Sequence, residues 1–225
     1  MAPREAGGTG ATVGTADTAS AADTADTADT ADTPDKGLRE TLQQAQTLLQ
    51  GGFLTVRRDT VGLPDGTSAT REFVVHPGAV AVVPVLDDGR VVMVRQFRYP
   101  LGQVLLEFPA GKIDPGEPVW HCARRELREE TGYTAREWAR ACRIHNAAAY
   151  STEGIEIWMA RGLEPGPQAL DAGEFLEVVA MTEDELDRLA QAGELTDVKT
   201  LVGLQWLRQW RRGEWSLSWQ PSPES

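Results

Sequence analysis

At 225 residues the chain has room for one domain of ordinary size and no more than two. An apolar fraction of 41% and a charged fraction of 25% fit a soluble globular protein, and a net charge of −12 argues against a nucleic-acid partner held by phosphate neutralisation. No apolar run reaches the length of a membrane span, and no basic-then-apolar leader opens the chain, so the expectation is a cytoplasmic protein with no membrane partner.

Residues 1–36 are low in complexity, with an Ala-Asp-Thr triplet recurring from Ala22 to Thr33. No large apolar residue is present to bury there, which predicts a disordered acidic tail. Folded structure is expected from near Lys36. Apolar residues at 38, 42, 45, 48 and 49 predict a short amphipathic helix over Leu38–Leu49, ended by Gly51-Gly52. Phe53–Val61 and Ser68–Val75 read as a hairpin around the turn Leu63-Pro64-Asp65-Gly66. A lone hairpin is marginal, so it must pack on the core domain or on a second subunit.

Ala79–Leu86 and Val91–Val94 are apolar runs joined by Asp87-Asp88-Gly89-Arg90, which predicts a buried hairpin. Pro84 within the first run suggests an edge or bulge position. Val104–Phe108 reads as the next strand. Beyond Tyr133 the expected strands are Glu137–Arg143, Ile155–Ala160 and Phe175–Met181, with a loop at Ala147–Glu153 and a mobile Gly/Pro-rich connection over 162–173. Thr182 with Glu185 three residues on is a capping box for a helix to about Ala192. Thr196–Arg212 is the last helix, and Trp215 and Trp219 follow in a tail where core or interface packing is expected. Strands around one long helix, with more helices at the end, imply an α/β sandwich. Cys122 and Cys142 are too few for a disulfide framework and read as small core or surface thiols, and His76, His121 and His145 lack zinc spacing.

The informative stretch is Gly111–Tyr133. Gly111-Lys112-Ile113-Asp114-Pro115-Gly116 cannot be helix interior; Glu117 follows, then good helix formers, and Gly132 stops the helix. Glu126, Glu129 and Glu130 share one helical face, where three carboxylates repel. A hard divalent cation accounts for keeping them together. Mg2+ takes oxygen ligands, retains waters and bridges to substrate phosphates.

At every defining position this stretch resembles the Nudix box. With Arg95-Gln96-Phe97-Arg98-Tyr99, Leu106-Glu107-Phe108-Pro109-Ala110-Gly111 and Leu204-Gln205-Trp206-Leu207, the chain is similar to the ADP-ribose pyrophosphatase branch of the Nudix hydrolases over roughly Leu38–Arg212. The resemblance implies an α/β/α sandwich with an N-terminal β-hairpin extension. It divides the chain into a tail over 1–36, a dimer-forming helix and hairpin over 37–77, a catalytic domain over 78–213 and a C-terminal tail over 214–225.

The same resemblance implies the site. Glu126 and Glu130 would be the principal Mg2+ ligands, with the Ala110 carbonyl as another and Glu129 helping; Mn2+ is a possible substitute. Arg125 would hold a box carboxylate, plausibly Glu117. Arg98 would contact the substrate diphosphate or adjacent ribose, and Glu107 is a substrate- or structure-bearing position. Glu174 sits where the branch places a metal-completing or basic glutamate on a mobile loop; Glu177 and Glu153 stay open as alternatives for the base. Glu153 also occupies a substrate-side acidic position. The implied activity is Mg2+-dependent hydrolysis of a nucleoside diphosphate sugar, ADP-ribose to AMP and ribose 5-phosphate, in a homodimer. Other nucleotide sugars, NADH, or a non-hydrolytic sensing module are the alternatives. One departure is Ala147-Ala148-Ala149, where the branch often has Ser-Pro-Gly, so the loop near the terminal sugar differs.

Overall fold

The computed structural model describes residues 35–222, so most of the expected acidic tail lies outside the described residues. The chain divides into two units, Met1–Arg39 and Glu40–Ser225. The described part of the first holds a single 3-10 turn, Lys36–Leu38.

The second unit begins with a three-stranded antiparallel sheet in the order β1 (Thr41–Gln50), β2 (Thr55–Gly62) and β3 (Ser68–Val75). This corrects the expected helix over Leu38–Leu49. Leu, Gln and Ala favour helices, but an isolated helix this short is marginal in water. Paired with β2 from Thr41↔Gly62 to Gln50↔Thr55, the same residues satisfy their backbone groups in a ladder. All ten β1 residues are exposed, so the apolar spacing never faced this chain's core. At its far end β3 is stitched to the loop before Glu153. Val74 N–H donates to the Tyr150 carbonyl at 2.9 Å, and Thr152 N–H donates to the Val74 carbonyl at 2.9 Å.

The second sheet contains β4 (Ala79–Val85), β5 (Val91–Arg98), β6 (Gln103–Glu107), β7 (Ala110–Lys112), β8 (Thr134–Ile144), β9 (Ile155–Glu164), β10 (Leu176–Met181) and β11 (Gln220–Pro221). Its order is β10-β5-β4-β9-β8-β11, with β6 on β5 and β7 on β4. The central pair β4–β9 is parallel. Every residue of β4 is buried, as its unbroken apolar run requires.

Pro84 therefore sits in a central strand, not at an edge. The explanation lies in the hydrogen-bond directions. Val82 N–H, which points the same way along the strand, donates to the Pro109 carbonyl at 2.9 Å on the side away from β9. On that side the β4–β5 ladder consists of Val85↔Val91 alone and β7 covers only Ala79–Ala81. Pro84 thus withholds its missing N–H where no ladder acceptor stands.

Helices cover both faces. Val80 and Val82 pack with Cys122, Ala123 and Leu127 of α1 (Val119–Thr131), and with Trp138. Val83 and Val85 turn to the other face, against Leu186 of α2 (Glu183–Ala192) and Leu204 and Leu207 of α3 (Val198–Arg211). The period-2 alternation of one strand thus builds two cores. Thr182 and Glu185 cap α2 reciprocally. Trp206 meets Trp215 edge-on and Trp210 packs tilted against Trp219, with the Arg161 guanidinium 4.2 Å over the Trp219 ring, so the C-terminal tail is packed down. The 162–173 connection starts later than expected, because β9 runs on to Glu164.

Candidate active site

The box helix α1 ends at Gly132, which takes a left-handed φ of 76° and closes the last turn onto the Arg128 carbonyl. Its apolar face grips β4, and the i, i+4 pair Glu126 and Glu130 lies beside that face, against β7. Glu126 is 9% exposed and Glu130 2%. The Ala110 N–H donates to Glu130 Oε2 at 3.0 Å. A Cβ at Gly111 would lie 2.0 Å from the Glu126 carboxylate, so any larger residue there would push that side chain off its present position.

Arg125 is the hub of the cluster. Its Nε and Nη2 donate to both oxygens of Glu117, each at 2.9 Å. Its Nη1 donates to Glu126 at 2.7 Å and Glu129 at 3.1 Å, and its Nη2 also reaches the Lys112 carbonyl. The bidentate fork holds the Glu117 carboxyl down at about 2. Glu126 and Glu130 move the other way. Burial, followed by repulsion from neighbouring carboxylates, raises Glu126 to about 7 even against Arg125, and raises Glu130 to about 8.

A loop lies over the C-terminal half of α1. Gln168 Nε2 donates to the Glu130 carbonyl and Ala169 N–H to the Glu129 carbonyl at 3.0 Å. These contacts anchor the segment carrying Glu174, whose charge adds to the upward shift of both buried glutamates. Glu174 accepts a 3.4 Å bond from Gln96. Glu177 points elsewhere, paired with Arg95 across β10 and β5.

A cleft of about 410 Å³ runs from Ala110 and Gly111 past Arg98 and Glu107 to Glu153. Arg98 grips Glu107 with two bonds of 2.7 Å from Nε and Nη2. Burial would raise the Glu107 carboxyl, but Arg98 and Lys199 outweigh it and hold it below the usual range. Glu153 accepts from Asn146 at 3.2 Å and lies 3.7 Å from the His76 ring. Phe53 meets His76 edge-on, with Lys112 over its ring, so the N-terminal sheet reaches the cleft rim.

Two groups of sequence-predicted residues are thus gathered: Glu117, Arg125, Glu126, Glu129 and Glu130 around α1 and β7, and Arg98, Glu107 and Glu153 along the cleft. Sequence reasoning missed Asp197, Lys199 and Thr200. A signal existed: Lys199 is one of only three lysines in an arginine-rich chain, and it lies inside an Asp-x-x-Thr helix start, Asp197–Thr200. Among the described residues no three carboxylate, imidazole or thiol groups converge in metal-ligating geometry. Glu126 and Glu129 are turned onto Arg125, and Glu130 onto the Ala110 amide.

Comparison with known proteins agrees with this architecture. The NUDIX domain family matches residues 75–201, and the family described as nucleoside diphosphate sugar hydrolase N-terminal domain matches 40–74. The chain belongs to the Nudix family. It is 36% identical over 175 residues to the ADP-ribose pyrophosphatase of Bacillus subtilis, spanning 77% of this chain and 95% of that one. It is 42% identical over 120 residues to the ADP-ribose pyrophosphatase of Mycobacterium tuberculosis, spanning 53% and 58%. A solved structure titled as an ADP compounds hydrolase superposes with a TM-score of 0.70 at 26% identity, covering 78% of this chain and 96% of its own. Within the family the chain is a hydrolase of the ADP-ribose pyrophosphatase type. No helix among the described residues is long and apolar enough to cross a membrane.

Proposed function

We propose that this hydrolase uses Mg2+ to split the pyrophosphate bond of a nucleoside diphosphate sugar, with ADP-ribose, yielding AMP and ribose 5-phosphate, as its preferred substrate. The observation that carries this is the pair of buried carboxylates, Glu126 and Glu130, held against Ala110–Gly111 at the mouth of a cleft that also presents Arg98. Their raised affinity for protons reports an unmet need for positive charge. Glu126, Glu130, the Ala110 carbonyl and Glu129 would supply an all-oxygen set suited to a hard divalent ion, with Mn2+ as a substitute, once the carboxylates turn from Arg125 and the Ala110 amide. Bound there, the ion would supply charge neutralisation for the diphosphate and acidify a water.

The protein's own groups do the rest. Arg125 fixes Glu117, Glu126 and Glu129 in place. Arg98 offers the Nη1 edge that Glu107 leaves free to a phosphate oxygen. Glu174 accepts a proton from the attacking water. The water oxygen bonds to phosphorus, the bridging P–O bond breaks, and the departing phosphate keeps the electron pair. Glu153, with Asn146, faces the sugar end of the cleft.

The enzyme works as a homodimer in a reducing cytoplasm. The dimer reading is supported by β1, whose Leu42, Leu48 and Leu49 are all exposed. Incubation with Mg2+ and ADP-ribose, GDP-mannose, a UDP-sugar or NADH, resolved by chromatography, tests the proposal. AMP appearing fastest from ADP-ribose is the expected result. Intact nucleotides throughout would instead indicate a sensing module.

A further inference from the structure

Glu107 poses an electrostatic problem. Its side chain is 1% exposed, and such a carboxylate stays ionised only when neighbouring charges replace its lost hydration. Arg98 supplies one charge through its fork. Lys199, itself 8% exposed, supplies a second through a bond from Nζ to Oε2. Two cations on one anion would leave a buried surplus. Asp197 removes it, accepting from Lys199 Nζ at 2.9 Å.

The other Asp197 oxygen ties this charge set to the fold. It accepts from Thr200 N–H at 2.9 Å and Thr200 Oγ1 at 2.6 Å, capping α3. Thr200 Oγ1 in turn accepts from Phe108 N–H at 2.9 Å, directly after Glu107 on the chain. The start of α3 and the end of β6 are therefore bolted together around one neutral quartet of two cations and two anions, and all four charged residues line the cleft.

We infer that Lys199 and Asp197 are positioning residues, holding the Glu107 carboxylate and through it the Arg98 guanidinium where the latter meets the substrate's diphosphate. What Arg98 meets rests on the function proposed above; the coupling of Lys199 to Arg98 does not. Lys199 ties Glu107 Oε2 to the start of α3. Without it, that buried carboxylate keeps Arg98 as its one cationic partner, and the Arg98 fork loses its fixed anchor.

The test compares K199M, K199R, R98K and the K199M/R98K double variant, with thermal melting to confirm folding. Kinetics use whichever panel nucleotide the wild type turns over, and the Arg98 Nε–H resonance, identified by its loss in R98K, is followed by NMR. K199M is expected to raise KM about ten- to hundredfold with a smaller change in kcat, as for a misplaced binding group. K199R recovers most of that loss. In the R98K background K199M costs little more, because the two act through one contact. The Arg98 Nε–H resonance shifts and exchanges faster in K199M. An equal penalty in both backgrounds, or an unmoved resonance, would overturn the inference. A wild type inactive on the whole panel refutes the proposed function, and the resonance then decides the coupling alone. Should K199M not fold, D197N, which keeps the shape of the cap, carries the same two readouts.

Discussion

Arg125 makes more charged contacts than any other side chain at the site, and those contacts set the properties of its neighbours. Truncation to alanine leaves Glu117 and Glu126 without their cation, and Glu129 with only Arg128, 3.8 Å away. Arg125 is about a quarter exposed, so the cost is below that of a fully buried pair: about 2 kcal/mol of unfolding free energy, measurable in urea. Lysine at this position restores little, because it cannot reproduce the fork on Glu117. Glu126 and Glu130 also predict a pH dependence. Their folded-state values, about 7 and about 8, stand above the ordinary carboxylate range. In chelator the stability they allow is fully present below about pH 4.5 and is lost as pH rises through 7 and 8. E126Q flattens that loss; an unchanged slope in thermal melts from pH 5 to 9 contradicts the assignment. Divalent-ion binding should release protons across the same window, seen as a buffer-dependent enthalpy in calorimetry.

Among the elements, those with strong local rules were legible in the sequence. The α1 stop at Gly132, the α2 capping box and the buried run of β4 all follow from residues within a few positions of one another. What escaped was decided by distant partners. β1 has helix-favouring residues and becomes a strand because β2 offers a ladder. Pro84 reads in the sequence as an edge or bulge position, and only the position of β7 and the Pro109 carbonyl reveals the open slot beside it. At the site, the box cluster was readable because its members are nearly contiguous. The quartet of Arg98, Glu107, Asp197 and Lys199 was not, because it joins residues about a hundred positions apart. The loop carrying Glu174 gives an element-scale prediction. It is anchored by Gln168 on the last turn of α1, so Q168A should speed its proteolytic cleavage and lower kcat several-fold. Unchanged cleavage would show that Ala169 alone suffices.

Across the whole molecule, the two sheets meet at the cleft. β3 is stitched to the loop leading to Glu153, while Phe53 and His76 bring the N-terminal sheet to the rim. Under the proposed function, substrate choice would be set at this joint between the two matched families rather than by the box. The proposed dimer is testable at this scale. Placing lysines at Leu42 and Leu49 should shift the mass seen by light scattering from dimer to monomer while leaving the box intact; a dimer that survives both lysines would move the interface off β1.

The parallel pairing of β4 with β9 has a kinetic consequence. The segments from β5 through β8 all intervene between these two strands, so the central ladder can close only after a long loop has been drawn together. The box helix and β7, by contrast, are near neighbours along the chain. A high contact order of this kind slows folding without lowering final stability. During refolding, the environment of Trp138, packed where α1 meets the sheet, should become native only with closure of β4 on β9. The carboxylate cluster would thus acquire its burial, and with it its affinity for a cation, in the last and slowest step.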